Sequence, residues 1–330
     1  MNGTRLLDTI HSPADVKRLD FGQLQELCAE IRAFLIDSVS KTGGHLSSNL
    51  GTIELTVALH KVFATPSDKF VWDVGHQCYT HKILTGRREG FDRLRMLGGI
   101  SGFPSPRESE HDAFIAGHGN TSLSAAIGMA QAKKLRHEPG KVIAVVGDGA
   151  FTGGMIYEGM NNIRSLNNLI VVLNDNKMSI SKNVGSFSKY LSKIRARPAY
   201  FRTKDRVESI CNHLPLIGKP LNQLLVWLKT TMKTVVYGSN WFEDMGFCYL
   251  GPIDGHNMET LCDVLQRAKN LHRPVFLHIE TQKGKGYSYA EENPGEYHGT
   301  SGFDIDTGKS FSSASTNFSN EFGLYLTELA

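Results

Sequence analysis

The sequence has few cysteines and no long hydrophobic run. Its 330 residues include 5 cysteines, an odd number, and none forms a CxxC pair; they are Cys28, Cys78, Cys211, Cys248 and Cys262. Such a scattered set argues against a disulfide framework or a zinc ribbon and suits a reducing compartment. No apolar run approaches the roughly 20 residues that a membrane span needs, and the N-terminus lacks a signal-peptide core. We therefore predict a cytoplasmic protein with no membrane contact.

An excess of charge of one sign is also missing. The chain has 36 Lys and Arg against 33 Asp and Glu, a formal net charge of +3, which is too small to indicate a nucleic-acid partner. Basic residues concentrate between 182 and 240, where weak periodicity predicts a flexible, solvated insertion with one amphipathic helix over 221–232. The net charge therefore favours a globular protein that does not bind nucleic acid.

Hydrophobic periodicity predicts an α/β fold. Helical spacing predicts helices over 24–39, 53–63, 121–132 and 261–268, the first ending at Gly43 and Gly44. Continuous apolar runs over 142–146, 169–173 and 275–279 are typical of parallel strands covered on both faces, and short strands are predicted over 70–72 and 113–115. A helix of about 12 residues between the first two runs would complete a right-handed βαβ unit. We expect a mainly parallel sheet with helices on both faces.

The loop Gly147-Asp148-Gly149 follows the strand over 142–146. Glycine loops at this position commonly hold a phosphate through backbone N–H groups, yet a carboxylate would repel one. Asn176 follows the next strand, and carboxyl ends of parallel strands meet at one edge of a sheet. Carboxylate and amide oxygens suit Mg²⁺. A magnesium ion between Asp148 and a diphosphate would explain the aspartate.

Alternatives remain open for this loop. A P-loop would need a GK[ST] sequence after its glycines, and Gly153-Gly154-Met155 stands there instead. A Rossmann-type nucleotide site is compatible with the glycine pattern, although Asp148 would oppose a pyrophosphate that carries no metal. The loop could also be a tight turn whose aspartate caps a helix.

Several motifs together resemble the 1-deoxy-D-xylulose-5-phosphate synthase family, which is related to transketolase. They are GDG and LNDNKMSIS (147–149, 173–181), KTGGHLSSNLG (41–51), WDVGHQCYTHKILTGR (72–87), GPIDGHN (251–257) and KGKGY (283–287). The resemblance covers nearly the whole chain and corresponds to the N-terminal, diphosphate-binding (PP-type) module. It implies such a transketolase-like module over 1–300, with 301–330 a linker and the start of an absent pyrimidine-binding module. It also implies thiamine diphosphate and Mg²⁺ as cofactors.

The resemblance also assigns residues. Asp148, Asn176 and the carbonyl of Met178 would bind the metal. His45 and His298 would face the substrate and handle protons, as suits groups that titrate near neutral pH. The cofactor would be bound by His76, Gly117, His118, Gly119, Gly147, Gly149, Ala150, Asn176 and Tyr287.

Single histidines are more often structural or exposed than functional, and we place His60 and His272 in that class. His76 and His118 each follow a Gly in a loop after a predicted strand, which favours a functional role. His45 could instead be only a helix terminus, and His298 lies in a loop-like context.

The implied reaction joins pyruvate, with loss of carbon dioxide, to glyceraldehyde 3-phosphate. Because the family's activating glutamate lies in the second module, we expect the lone chain to bind cofactor weakly and to turn over little. The chain would be a natural split subunit or a shortened part of a longer enzyme. The alternatives are the N-terminal subunit of a two-chain transketolase and a non-catalytic thiamine-diphosphate-binding relic. We expect a homodimer formed through the helix over 121–132, a separate pyrimidine-module chain as partner, or both.

Overall fold

The structure is a computed structural model that describes residues 5–163, 166–178, 185–195, 240–311 and 318–330. Most of the predicted basic insertion, including the helix over 221–232, lies outside these residues. In the described part of the chain, no helix is both long enough and apolar enough to cross a bilayer.

Helices and strands alternate through the middle of the chain. The helices are α1 (Pro13–Arg18), α2 (Phe21–Thr42), α3 (Leu46–Leu50), α4 (Ile53–Val62), α5 (Tyr79–Lys82), α6 (Ser122–Leu135), α7 (Gly154–Met160), α8 (Ser186–Arg195), α9 (Trp241–Asp244), α10 (Met258–Asn270), α11 (Ser288–Glu292) and α12 (Phe318–Leu329). The strands are β1 (Lys69–Trp72), β2 (Val142–Gly147), β3 (Leu169–Asp175), β4 (Cys248–Asp254) and β5 (Val275–Glu280). Short segments of 3-10 or π-helix cover Leu6–Thr9, Ile83–Arg87, Arg88–Arg93, Ala150–Thr152 and Glu296–His298.

The described strands form one parallel sheet in the order β1-β2-β3-β5-β4. This confirms the predicted sheet and adds β4, which the sequence analysis did not predict. The register places Gly147 at the end of β2 opposite Asn174 near the end of β3. The two polar loops therefore start from neighbouring positions on one edge.

Alternate residues of strand β2 pack into two different cores. Ile143 and Val145 lie in the core beneath α2, α4 and α10. Ala144 and Val146 lie in the opposite core with α6, α7 and α9. Helices therefore cover both faces of the sheet, as predicted, because apolar side chains alternate across each strand.

Helix α2 shows how local sequence sets the element boundaries. Asp20 caps its start, because the Asp20 carboxylate accepts from the Gln23 N–H at 2.8 Å while the Gln23 side chain accepts from the Asp20 N–H at 3.0 Å. The helix ends at Gly43, whose φ of 72° is a conformation that glycine adopts without strain. The predicted helix end is confirmed.

Two predictions of local structure are wrong. Residues 113–115 form no strand; Ile115 is 63% exposed, whereas a parallel strand needs cover on both faces. The helix after the GDG loop is also shorter than predicted. A 3-10 turn comes first, and α7 begins only at Gly154, because Gly153 adopts an extended conformation.

The two ends of the predicted 301–330 segment differ. Phe303 is buried and packs against Tyr287 and Tyr297. Near the chain's end, helix α12 has no buried residue. The domain boundary at residue 300 stays a prediction.

Candidate functional site

A cavity opens at the carboxyl edge of the sheet, where β2 and β3 end. Asp148 and Asn176 both line it, so the structure brings together the two clusters that the sequence placed 28 residues apart. The lining consists of Ser48, Asp73, Val74, His76, Gln77, Gly147, Asp148, Gly149, Ala150, Asn174, Asn176, Met178, Lys283 and His298. This cavity is the candidate active site.

The GDG loop continues the edge of the sheet. The Asp148 N–H donates to the Asn174 carbonyl at 3.1 Å. A Cβ atom added at Gly147 would meet no atom within 4 Å, so a side chain there would project into open space at this edge. Glycine therefore leaves room for a ligand against the backbone.

Two buried carboxylates lie beside the cavity. Asp148 and Asp175 are 3% and 1% exposed. Burial, and then the negative charge of Asp175, raises the pKa of Asp148. A divalent cation bound to Asp148 would offset both effects, since its charge compensates the carboxylates. The donor chemistry therefore fits a magnesium ion.

Asn176 and Met178 form a tight turn beyond β3. The Met178 N–H donates to Asn176 Oδ1 at 3.1 Å. An amide oxygen has two lone pairs, so this bond leaves one acceptor position on Asn176. Among the described residues, no set of three His, Cys, Asp or Glu side chains is arranged to hold a metal ion. A metal here would depend on mixed carboxylate, amide and backbone oxygens, as is common for Mg²⁺.

Asp175 is tied into the sheet beneath the site. His278 Nε2 lies 3.0 Å from Asp175 Oδ2, and the Tyr249 hydroxyl lies 2.8 Å from His278 Nδ1. The sequence analysis assigned no role to these residues. The sequence does contain a signal for this network, because His278 interrupts an otherwise apolar strand. A fully buried histidine needs hydrogen-bond partners.

Three histidines meet at one wall of the site. Ring centroids lie 5.3 Å apart for His45 and His76, 4.9 Å for His76 and His298, and 5.7 Å for His45 and His298. The Ser48 hydroxyl joins two of them, at 3.1 Å from His76 Nε2 and 3.3 Å from His298 Nδ1. His76 and His298 line the cavity, whereas His45 lies outside the lining with its ring against both of them. We call His45, His76 and His298 the cavity histidines.

The cavity histidines have lowered pKa values. Burial, with the positive charges of Arg95 and Lys283, lowers the pKa of His45 to about 4. Burial and Lys283 lower the pKa of His298 to about 4. Desolvation disfavours the charged rings, so both pKa values lie below the near-neutral range that the sequence analysis associated with proton transfer, and the catalytic roles of His45 and His298 stay predictions. Both are neutral at pH 7.

Besides His45, four other predicted residues lie outside the cavity lining. The Gly117–Gly119 loop borders the site, since a Cβ at Gly119 would lie 3.8 Å from Ala150 Cβ, but Gly117 and His118 are exposed. Tyr287 is buried, and its hydroxyl donates to the Ile305 carbonyl at 2.9 Å. Cofactor contacts of Gly117, His118, Gly119 and Tyr287 stay predictions.

Lys283 is a site residue that the sequence analysis missed. It lines the cavity and is 6% exposed. Burial lowers its pKa to about 8, although the charge of Asp148 acts in the opposite direction. The KGKGY motif contained this lysine, but only Tyr287 was selected from it. A lysine on a glycine-rich loop is a signal for anion binding.

Comparison with known proteins gives a consistent result. A family model described as 1-deoxy-D-xylulose-5-phosphate synthase matches residues 7–281. The 1-deoxy-D-xylulose-5-phosphate synthase of Caldanaerobacter subterraneus subsp. tengcongensis is 52% identical over 326 residues, which are 98% of this chain and 52% of that protein. The synthase of Alkaliphilus oremlandii is 51% identical over 328 residues, 99% of this chain and 53% of that protein. The chain thus spans about half the length of the curated relatives it matches.

Solved structures show the same fold. Transketolase from Campylobacter jejuni superposes with a TM-score of 0.63 at 21% identity, covering 86% of this chain and 41% of that chain. Transketolase from Leishmania mexicana gives a TM-score of 0.59 at 17% identity, covering 92% and 44%. These similarities establish a transketolase-like α/β fold.

Proposed function

Because this chain belongs to the 1-deoxy-D-xylulose-5-phosphate synthase family, we propose that it is the diphosphate-binding half of a thiamine-diphosphate-dependent transferase. The complete enzyme would condense pyruvate with glyceraldehyde 3-phosphate and release carbon dioxide. The observation that carries the proposal is the meeting of Asp148 and Asn176 in one cavity with Lys283 and the histidines.

The cavity residues divide into metal-binding and anion-binding groups. Asp148, Asn176 and the Met178 carbonyl would hold Mg²⁺, which suits hard oxygen donors. Backbone N–H groups of Gly149 and Ala150 and the ammonium group of Lys283 would hold the diphosphate. The positive charge of the metal would thus offset the repulsion between the Asp148 carboxylate and the neighbouring diphosphate.

When bound, thiamine diphosphate supplies an electron sink for decarboxylation. This chain's own residues would bind the substrate and move protons. His45 and His298 are neutral at pH 7, so each ring has one nitrogen that accepts and one that donates a hydrogen bond. A neutral imidazole can take a proton from a substrate hydroxyl group and return it. Ser48 would fix the orientations of His76 and His298.

A lone chain of 330 residues is expected to turn over little, because the relatives carry about as many further residues as this chain has. The test is an assay of pyruvate and glyceraldehyde 3-phosphate with this chain alone and with a full-length relative as positive control. We expect 1-deoxy-D-xylulose 5-phosphate from the control and none above background from the lone chain. Rapid product formation by the lone chain would contradict this part of the proposal.

The same assay distinguishes the alternatives when the lone chain is mixed with the missing half of a relative. Restored synthesis from pyruvate supports the synthase, whereas activity only with a ketose phosphate donor supports a two-chain transketolase. Cofactor binding without activity in any mixture supports a non-catalytic relic.

We also propose that the chain forms a homodimer through α6. Its outward positions Ser124, Gly128 and Ala132 are small and exposed, and such spacing lets two helices approach closely. Light scattering at working concentration should give twice the monomer mass of 36.5 kDa. A monomer would contradict the proposal.

A further inference from the structure

The loop over 281–287 carries Lys283 into the candidate site. This loop follows β5 and contains Gly284 and Gly286, whose φ values are 79° and 84°. Glycine tolerates these angles, but it also gives a loop more conformational freedom. Something outside the loop must therefore hold Lys283 in place.

Three side chains from distant parts of the sequence hold the two sides of this loop. The Gln282 N–H donates to His256 Nε2 at 2.8 Å. Arg32 Nε donates to the Lys285 carbonyl at 2.8 Å. Between them, the Glu54 carboxylate lies 3.0 Å from His256 Nδ1 and 2.6 Å from Arg32 Nη2. We call Arg32, Glu54 and His256 the loop clasp.

The contacts of the loop clasp define its hydrogen-bond directions. Because His256 Nε2 accepts from a backbone N–H, its proton lies on Nδ1 and is donated to Glu54. Burial raises the pKa of Glu54, but hydrogen bonds from His256 and Arg32 outweigh this and hold the pKa below its usual value. Side chains of Arg32, Glu54 and His256 are 16%, 11% and 15% exposed, so water competes little for these bonds.

The loop clasp also gives the GPIDGHN motif a physical role. Asp254 Oδ1 accepts from the His256 N–H at 2.8 Å. At Gly255, a Cβ would lie 2.8 Å from the Glu280 carbonyl oxygen, so only glycine permits this approach to β5. Asn257 caps α10 by accepting from the Thr260 N–H at 3.0 Å. The motif thus places His256 against the start of the lysine loop.

We propose that Arg32, Glu54 and His256 are positioning residues that hold Lys283 where it binds the phosphate end of a ligand. None of the three lines the cavity, and none is a candidate metal ligand. The Gly284 N–H adds a third attachment by donating to the Ser47 carbonyl at 2.8 Å. The anionic nature of the ligand rests on the proposed function. Fixing a lysine stem in advance lowers the entropy lost on binding.

The first test measures the loop directly. Hydrogen exchange of peptides covering 281–287, followed by mass spectrometry, compares wild type with His256→Ala, and with His272→Ala at an exposed position as the matched control. We expect exchange in this loop to become about tenfold faster in His256→Ala and unchanged in the control. Unchanged exchange in His256→Ala would overturn the proposal.

The second test asks whether the loop clasp acts through Lys283. Calorimetry with thiamine diphosphate and Mg²⁺ compares His256→Ala, Lys283→Met and the double variant. We expect His256→Ala to weaken affinity about tenfold and to have no further effect in the Lys283→Met background. If His256→Ala weakens affinity equally in the wild-type and the Lys283→Met backgrounds, a positioning role is overturned.

A second variant of the loop clasp tests whether misfolding explains the effect of His256→Ala. Arg32→Lys keeps a positive charge beside Glu54 but cannot hold Glu54 and the Lys285 carbonyl in one planar fork. We expect the same faster exchange over 281–287, with unchanged exchange in β2 and β3. If wild type binds no thiamine diphosphate, the proposed function fails, while hydrogen exchange still decides the proposal on the loop clasp.

Discussion

Two groups of histidines, one fully buried and one partly buried, differ in the partners of their rings. His60 and His81, which we call the inner pair, are joined by a bond of 2.9 Å between His60 Nε2 and His81 Nδ1. His81 Nε2 lies 3.1 Å from Asp112, and Arg87 binds the same carboxylate at 2.7 and 2.8 Å. Two of the cavity histidines, His76 and His298, have the Ser48 hydroxyl as their shared partner instead.

Lowered pKa values do not distinguish the two groups. Burial lowers the pKa of His60 and His81 as it does for His45, His76 and His298. The partners differ: the inner pair ends on a carboxylate held by arginine, whereas the rings of His76 and His298 contact the Ser48 hydroxyl. Buried Nδ1 atoms without a hydrogen-bond partner among the described residues occur in both groups, at His45, His76 and His60. The ion pair indicates a structural role for the inner pair, whereas the position of His76 and His298 in the cavity lining indicates a binding role.

The two groups are nevertheless connected through one loop. Asp112 also accepts from the Ser105 N–H at 2.7 Å, and Glu108 accepts from the Ser101 N–H at 2.7 Å. Between these anchors lies Phe103, whose ring centroid is 5.8 Å from that of His45. The inner pair and its ion pairs therefore support one wall of the site without touching the cavity.

The largest loss in the free energy of unfolding is expected from Asp112→Ala. It would leave Arg87 and Lys82 without one of their buried acidic neighbours, and breaking a buried ion pair by removing one partner costs about 3–5 kcal/mol. Urea unfolding measures the loss. The control is Asp263→Ala, which removes an exposed ion pair with Arg267 on α10. A loss equal to that of the control would show that the inner pair is not a structural support.

A smaller loss in the free energy of unfolding is expected when the pH is lowered. The pKa values of His45 and His298 are about 4 in the folded chain against a usual value of 6.5. The unfolded chain therefore binds more protons between these values, so the free energy of unfolding falls as pH drops from about 6.5 to about 4. His298→Gln should make that fall shallower. Urea midpoints across this range measure it, and a steeper fall in the variant would contradict the lowered pKa.

Much of the fold could be predicted because its signals are local. Apolar runs gave β2, β3 and β5, and Gly43 marked the end of α2. Strand β4 was missed because Gly251 and Pro252 interrupt its apolar pattern. The strand predicted over 113–115 was wrong because a run of three apolar residues does not show whether both faces of the segment are covered by other elements.

The site was predictable where chain topology decides proximity. Asp148 and Asn176 follow adjacent parallel strands, so their meeting follows from the sheet. Lys283, Glu54 and His256 come together only through packing among α2, α4, the β4–α10 turn and the loop after β5, and no spacing rule links them. Lowered pKa values of His45 and His298 depend on burial, which the sequence around each histidine does not show.

The most direct measurement is calorimetric titration with thiamine diphosphate, with and without Mg²⁺, on wild type and Asp148→Ala. We expect wild type to bind in the presence of Mg²⁺, and the affinity to fall at least about tenfold when either the metal or the carboxylate is removed. Asp263→Ala serves as the control and should bind like wild type. Metal-independent binding that survives Asp148→Ala would contradict the assignment of this cavity as a metal–diphosphate site.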